Sequence, residues 1–157
     1  MEFKECKCSL DMVTLNVKQF VHSSYNPTTK FKVIGVSDTM EILSTEPGAK
    51  YWSSTRVTDY RHNFAISDYN WCGEECSFYF GVEHNSKRRS ASKNAMTDVV
   101  IKYNPNKCSG SPILEYLLRE CFYDDKHVKV KSIDIAIDIP LHINDLKPIV
   151  KGHRMYH

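Results

Sequence analysis

The sequence predicts an α+β domain in which an antiparallel sheet carries its helices on one face. Three observations predict it: short segments that alternate apolar and polar residues, turn residues between them, and one apolar stripe at helical spacing. After an opening strand, the predicted order is strand, strand, strand, helix, strand. This order is typical of an antiparallel sheet covered on a single side.

The strands are predicted from alternating residues that lie between turn signals. The segment 21–60 is weakly patterned and is expected to hold mixed strand and loop. The loop DYNWCGEEC joins two of the strands, which predicts a hairpin with a longer connection. Pro140 ends the last strand, because proline cannot donate to the sheet ladder. In chain order the predicted strands are residues 10–20, 62–67, 77–84, 98–103 and 128–139.

One helix is predicted to begin after residue 111. Ser111 can accept the free amide hydrogens of a helix start, and Pro112 suits the first helical position. A shorter second helix is predicted at residues 144–150, with Pro148 inside it. The apolar stripe of the first helix consists of Ile113, Leu114, Leu117, Leu118 and Cys121.

Length and composition indicate a single globular domain. The chain has 157 residues, of which 41% are hydrophobic and 25% charged, so we expect one domain over residues 1–157. No apolar run approaches the roughly 18 residues of a membrane span, so no membrane partner is expected. The opening letters MEFKECKC carry no secretory signal. We therefore expect a cytoplasmic protein with reduced cysteines.

The segment VKVKSIDIAIDIP holds the main candidate site. Its four isoleucines share one face by alternation and are predicted to lie in the core. Asp134, Ala136 and Asp138 share the other face, and aspartate is depleted in strands. Two carboxylates beside a small residue suit a hard cation, Mg²⁺ or Mn²⁺. On a regular strand they stand about 13 Å apart, so both ligate one ion only if the strand bulges or bends.

The same alternation adds two residues to this open face. Glu83 falls opposite the core positions of its strand and is a third candidate metal ligand. Lys102 falls on the same side of the next strand, where it could hold a phosphate. Two other interpretations stay open. The aspartates could protect an edge strand from aggregation, and Glu83 could be an exposed carboxylate with no role.

Candidate nucleic-acid contacts come from a basic loop and one aromatic residue. The net charge of +2 is too small to indicate a nucleic-acid binder by itself. A Ser/Asn-rich stretch between two strands is basic, however, and either contacts phosphates or is simply solvated. Trp71, in the hairpin loop, could stack on an unpaired base or pack against the sheet. The basic residues of the stretch are Lys87, Arg88, Arg89 and Lys93.

The cysteines allow a second metal hypothesis. Cys72 and Cys76 in WCGEEC have a spacing compatible with zinc, and Cys6 with Cys8 could supply two more thiolates. The alternative is a set of free or packed thiols. Structural zinc sites usually show tighter and better repeated spacing, which favours the alternative.

Three segments resemble a known family. SIDIAIDIP resembles the Asp-x-Ala-x-Asp strand of rolling-circle replication initiators of the plasmid Rep_trans type and of related relaxases and phage replication proteins. FYFGVEHN and YNPNKC are also similar to segments of these proteins. Hairpin, helix and acidic strand follow in the expected order over residues 60–145. The resemblance implies a nickase-type, ferredoxin-like sheet with helices on one face.

The resemblance also implies a function. Members bind DNA at an origin hairpin or single strand and nick one strand to start plasmid or phage replication. A tyrosine hydroxyl attacks the phosphodiester, becomes joined to the 5′ phosphate and frees a 3′ hydroxyl, while a metal offsets charge on the phosphate. By motif match, Asp134 and Asp138 correspond to the acidic strand positions. Glu83 is a candidate metal ligand only because strand alternation puts it on the same face; it does not come from a motif match.

The sequence departs from the family at the nucleophile. Family members carry the reactive tyrosine some tens of residues beyond the acidic strand, in a segment to which nothing here is similar. Tyr156 is the only tyrosine after Asp138 and hence the only candidate on that side. Three functions stay open. One is a metal-dependent nicking domain. Another is an inactive short relative from a mobile element that binds a nucleic acid or inhibits a protein partner, for example a CRISPR nuclease. The third, ranked last, is a sheet-platform RNA binder, for which Tyr79 is the only good surface aromatic on the open strands.

Overall fold

The structure is a computed structural model that describes residues 7–26, 31–56, 60–83, 96–121 and 128–138. These residues form an α+β fold, as the sequence predicts. The predicted order of three strands, a helix and a strand is confirmed in the second half of the chain, from residue 62 to residue 138. The elements are β1 (Lys7–Phe20), β2 (Ser24–Asn26), β3 (Phe31–Val33), α1 (Val36–Thr45), β4 (Ala49–Ser53), β5 (His62–Tyr69), β6 (Glu75–Glu83), β7 (Met96–Tyr103), α2 (Pro112–Cys121) and β8 (Lys129–Asp138).

Six of the described strands form one open antiparallel sheet, and β2 pairs with β3 separately. The order in the sheet is β4-β5-β6-β7-β1-β8, so the first strand lies between β7 and the last. Val17 of β1 pairs with Val99 of β7, and Val13 pairs with Ile133 of β8. The beginning and the end of the described chain are thus neighbours in the sheet.

The core lies on one side of the sheet, which we call the covered face. Directly opposed residues of antiparallel strands share a face, so Phe64, Phe80 and Ile101 form one apolar row across β5, β6 and β7. Both helices add side chains to this core, Val36 and Leu43 from α1 and Leu114 and Leu117 from α2. The prediction that the helices pack on a single face is therefore confirmed. The opposite side, which neither helix covers, is the open face.

Helix α2 is anchored at its N-terminus by a strand residue. The Ser111 hydroxyl accepts the Leu114 N–H at 3.2 Å, as the sequence predicts. The carboxylate of Asp68, on β5, accepts the Ser111 hydroxyl and, at 3.0 Å, the Ile113 N–H. Burial acts to raise the pKa of Asp68, but its hydrogen bonds to Ser111, Ile113 and Tyr69 outweigh burial and leave the pKa below its usual value.

Helix α1 lies in the segment that the sequence pattern left unassigned. No side-chain hydrogen bond caps its start at Gly35. Thr39 donates back to the Gly35 carbonyl at 3.3 Å, and Thr39 is completely buried. Threonine is a weak helix former, so local propensity is low. Burial of Val36 and Leu43 in the shared core therefore supplies the stability of α1.

The predicted core role of the β8 isoleucines is wrong. The isoleucines lie on the expected face of the sheet, since Ile133 lies opposite Val13 and Ile135 opposite Leu10 on the covered face. Yet Ile133 is 52% exposed, and Ile135 and Ile137 are each 62% exposed. The reason is position: β8 is the outermost strand beyond β1, whereas α1 packs against β4 and α2 against β5, toward the other edge of the sheet. Ile139 and the predicted helix at 144–150 lie outside the described residues.

Neither described helix has the length and apolar character needed to cross a membrane.

Replacing Asp68 by alanine should lower the free energy of unfolding by about 2 kcal/mol, because two helix-start donors lose a charged acceptor. Urea titration measures this, and Glu75→Gln, an exposed carboxylate on β6, is the matched control. The stabilisation is present above the unfolded pKa, near 3.8, and is lost as the pH falls through the lower folded pKa. A difference between wild type and Asp68→Asn that grows on acidification would contradict this assignment.

Candidate nucleic-acid interface

The open face carries a groove at the end of the sheet where β6 ends and β7 begins. The groove has a volume of about 340 Å³ and crosses from β6 to β8. Its charge is divided, with carboxylates on the β6 and β7 side and two lysines on β8. We call it the open-face groove. It is lined by Asn16, Tyr60, Glu83, Asp98, Lys129, Val130 and Lys131.

Tyr60 is held in the groove by residues from three other parts of the chain. Asn16, on β1, donates to the Tyr60 hydroxyl oxygen at 3.2 Å. Asn63, on β5, donates to the Tyr60 carbonyl at 2.7 Å. The Lys131 ammonium lies 5.6 Å from the centre of the Tyr60 ring, within the range of a cation–π attraction. The tyrosine is thus held in a groove whose lining also carries charged side chains.

The two carboxylates of the groove stand directly opposite each other. Glu83 on β6 pairs with Asp98 on β7, and Asp98 in turn pairs with Lys18 on β1. Like charges in direct opposition destabilise a sheet unless a cation or a hydrogen-bond donor lies between them. The donor set, two carboxylates on adjacent strands, fits a hard divalent cation that keeps several waters. Within the described ranges no group of three or more His, Cys, Asp or Glu side chains comes together.

The lysines reach the open face because of a β-bulge. Simple alternation from Ser132 would put Lys129 and Lys131 on the isoleucine side. The register with β1 shifts between Thr14 and Leu15, so that Thr14 pairs with Ser132 but Asn16 pairs with Lys129. The bulge therefore moves Lys129 to the face of Asn16 and brings a positive charge into the groove.

A cluster of aromatic and amide side chains covers the sheet next to the groove. The Tyr79 hydroxyl donates to Asn63 Oδ1, and the Tyr79 ring crosses Gly81, where any Cβ atom would collide with it. The Trp52 ring lies 6.0 Å from the Tyr79 ring, centre to centre, and Trp52 remains 42% exposed. Such a surface offers π faces on which unpaired bases could stack.

The residues predicted from the sequence share a face but do not form one site. Asp134 pairs with Met12, and Lys102 pairs with Thr14 and Tyr79, so both lie on the open face as expected. From strand spacing and rise, Glu83 lies roughly 25 Å from Asp134, so the two cannot ligate the same ion. The backbone of Asp138 pairs with that of Lys7.

Other predicted contacts lie elsewhere. Trp71 is 75% exposed in the turn between β5 and β6, and its backbone N–H donates to the Ser109 carbonyl at 3.0 Å. That turn is at the start of β6, whereas the groove is at its end, roughly 26 Å away along the strand. The remaining predicted residues, Lys87, Arg88, Arg89, Lys93 and Tyr156, lie outside the described residues.

Sequence reasoning missed several groove residues. The position of Asp98 could have been predicted, because the alternation that puts Lys102 on the open face puts Asp98 there too. No sequence pattern indicated Tyr60, since it lies just before β5 at the end of an unpatterned segment. Asn16 is one of several polar residues on β1, and nothing local shows that it meets Tyr60.

Four cysteines whose side chains the structure describes are free thiols, in two environments. Cys8 and Cys72 are exposed, whereas Cys76 and Cys108 are buried. Burial raises the pKa of Cys76 to about 11, and the neighbouring Cys108 and Asp68 add to the increase. The pair predicted as zinc ligands, Cys72 and Cys76, is thus divided between solvent and core. Cys6 lies outside the described residues.

Comparison with protein-family models, with curated proteins and with solved structures finds no match to this chain.

Iodoacetamide at pH 8 should modify Cys8 and Cys72 rapidly and Cys76 at least about a hundredfold more slowly, because Cys76 is shielded and mostly protonated. Peptide mass mapping over time measures the rates. The control is the same reaction in guanidinium chloride, in which the rates should converge. Equal rates for Cys72 and Cys76 in the folded protein would contradict the buried position.

Proposed function

We propose that the open face binds a single strand of DNA and that one nucleotide of the strand sits in the open-face groove. The proposal rests on one observation: basic and acidic side chains line different sides of the groove, which also contains Tyr60. The lining holds two lysines on β8, two carboxylates on β6 and β7, and Tyr60. Each of these groups suits a different part of a nucleotide.

The phosphate is matched by the lysines. Lys129 and Lys131 line the groove, and ammonium groups attract phosphate oxygens without regard to base sequence. Lys18 and Lys102 lie on the same face of the sheet and are exposed, which extends the positive surface along β1 and β7. A backbone that crosses the open face would meet these lysines in turn.

The base is matched by the carboxylates and the aromatic rings. Carboxylate oxygens accept hydrogen bonds from the exocyclic amino groups of bases. Trp52 and Tyr60 supply π faces beside the groove. The groove volume, about 340 Å³, is at the lower end of the usual ligand-site range of roughly 300–1,000 Å³ and suits one nucleotide unit.

The resemblance to rolling-circle initiators supports the same class of ligand. The α+β fold with helices on one face is the scaffold that the resemblance implies, and such proteins bind DNA at an origin hairpin or single strand. A nickase-type, ferredoxin-like assignment of this sheet is part of the proposal. So is a cytoplasmic location, where the thiols of Cys8 and Cys72 stay reduced.

A second candidate function is strand cleavage by Tyr60, and it rests on the presence of its hydroxyl in the groove that also holds Glu83 and Asp98. We infer that the Tyr60 oxygen bonds to the phosphorus while the bond to the 3′ oxygen breaks. The tyrosine proton passes to solvent, and the departing 3′ oxygen takes up a proton. Glu83 and Asp98 would hold a Mg²⁺ or Mn²⁺ ion, which offsets negative charge on the phosphate.

Lys129→Ala with Lys131→Ala should weaken binding of a fluorescent single-stranded oligonucleotide at least about tenfold. Loss of two phosphate contacts should also reduce the slope of log K against log salt by roughly 1.4. Fluorescence anisotropy at several salt concentrations measures both. Lys107→Ala removes an exposed lysine outside the groove and is the control. If the control weakens binding as much as the double variant, the lysines act only through net charge and the site is wrong.

With Mn²⁺ and a labelled origin hairpin, the full chain should form a covalent adduct that carries the 5′ phosphate on Tyr60. Tyr60→Phe should abolish the adduct, and Glu83→Gln with Asp98→Asn should abolish the increase in its yield that Mn²⁺ produces. Mass mapping of the adduct identifies the attached residue. An adduct on Tyr156 would instead support the nucleophile predicted from the sequence. Binding without any adduct would refute cleavage and leave the binding proposal intact.

A further inference from the structure

The outermost strand β8 presents an apolar strip to solvent. Val130 is 59% exposed, and the three described isoleucines of the strand are exposed to a similar extent. By strand pairing all four lie on the covered face, and Val130, next to the bulge, also borders the open-face groove. We call Val130, Ile133, Ile135 and Ile137 the β8 strip. Contiguous exposed apolar residues on a strand are unusual for a surface without a partner.

The strand also has a free backbone edge. In the described part of the chain β8 pairs with β1 on one side and with no strand on the other. An outer strand of ten residues leaves a row of N–H and C=O groups that another strand can pair with. The apolar strip and the unpaired edge therefore belong to the same ten residues.

The charges of β8 indicate what pairs with it. Lys129 and Lys131 lie at its beginning, and Asp134 and Asp138 lie in its second half. In an antiparallel pair of two β8 strands, each basic half lies beside the acidic half of the other copy. A parallel pair would place lysine beside lysine and aspartate beside aspartate. The strand is therefore complementary to itself in the antiparallel orientation only.

We propose that β8 pairs antiparallel with β8 of a second copy of this chain, so that the two six-stranded sheets join edge to edge. The two β8 strips then lie side by side on the covered face, where their isoleucines shield one another from water. The interface is isologous, because one patch meets itself across a two-fold axis. Lys131 also lies 5.6 Å from the centre of the Tyr60 ring in the single chain, so a partner's carboxylate competes with this ring for the ammonium group.

The proposal goes beyond strand binding and rests on a different surface. A two-fold axis perpendicular to the sheet keeps both open faces on the same side. The two open-face grooves, each bordered by the first residues of β8, then flank the axis. A dimer would present two nucleotide sites on one continuous face.

The test measures mass without DNA. Analytical ultracentrifugation of the full chain from about 1 to about 300 µM should show a monomer–dimer equilibrium. Ile135→Lys should weaken dimerisation at least about tenfold, because it places a charge at the centre of the strip. Circular dichroism and thermal unfolding confirm that the variant remains folded. DNA binding of this variant, measured separately, keeps failure of the dimer distinct from failure of the groove.

A charge-exchange experiment tests the orientation. Lys129→Glu with Lys131→Glu makes β8 acidic throughout, and Asp134→Lys with Asp138→Lys makes it basic throughout. Each variant alone should be monomeric, because antiparallel pairing now opposes like charges. An equimolar mixture should recover a dimer, since an acidic strand then meets a basic one. Recovery also shows that both variants fold.

Three outcomes would overturn the proposal. One is a wild-type monomer across the whole concentration range. Another is a dimer that neither Ile135→Lys nor the charge variants weaken. The last is a mixture that stays monomeric while each variant is folded.

Discussion

The arrangement of the sheet depends on the pairing of β1 with two strands at once. Val13 and Val17 are buried on the covered face, and the ladder of β1 joins β7 on one side and β8 on the other. Without β1, β8 would have no described neighbour and β7 would be an edge. The open-face groove would also lose part of its lining, because Asn16 belongs to it and pairs with Val100 on β7 and with Lys129 on β8. A contact between distant parts of the sequence thus positions the candidate site.

The bulge in β8 connects the site with the outer edge. One extra residue at Lys131 changes which side chains face the groove, so the basic residues leave the isoleucine face. The β8 strip is then apolar on the covered face, while charge is carried on the open face. One irregularity in hydrogen bonding therefore separates a surface suited to phosphate from a surface suited to a second strand.

A second constraint is the contact between Asp68 and the start of α2. The carboxylate lies on β5 and satisfies donors that belong to a helix more than 40 residues later, with sequence separations of 43 and 45. The hydrogen bonds hold the start of α2 against β5, and Leu114 and Leu117 of the helix enter the core. The isoleucines of β8, at the other edge of the sheet, remain exposed.

How much could be predicted from the sequence differs between elements. Helix α2 was predictable, because Ser111 and Pro112 mark its start and its apolar stripe is regular. Helix α1 was not, since it begins at Gly35 without a side-chain cap and contains weak helix formers such as Thr39. For the candidate site, alternation put Glu83, Lys102 and Asp134 on one face but could not show that Glu83 meets Asp98. It also could not foresee the bulge that turns Lys129.

By itself the sequence determined the local structure of its patterned segments: which residues alternate, where one helix begins, and which side chains of a strand share a face. These features depend on neighbours within a few residues, so they can be read along the chain. Only the tertiary structure decided that β1 lies inside the sheet, that β8 lies at its edge, and that Tyr60 meets Asn16. Strand order and register depend on contacts between distant residues, and a period of two is the same whether a strand is central or outermost. For that reason the isoleucines of β8, which alternate along the sequence as core residues do, are exposed at the surface.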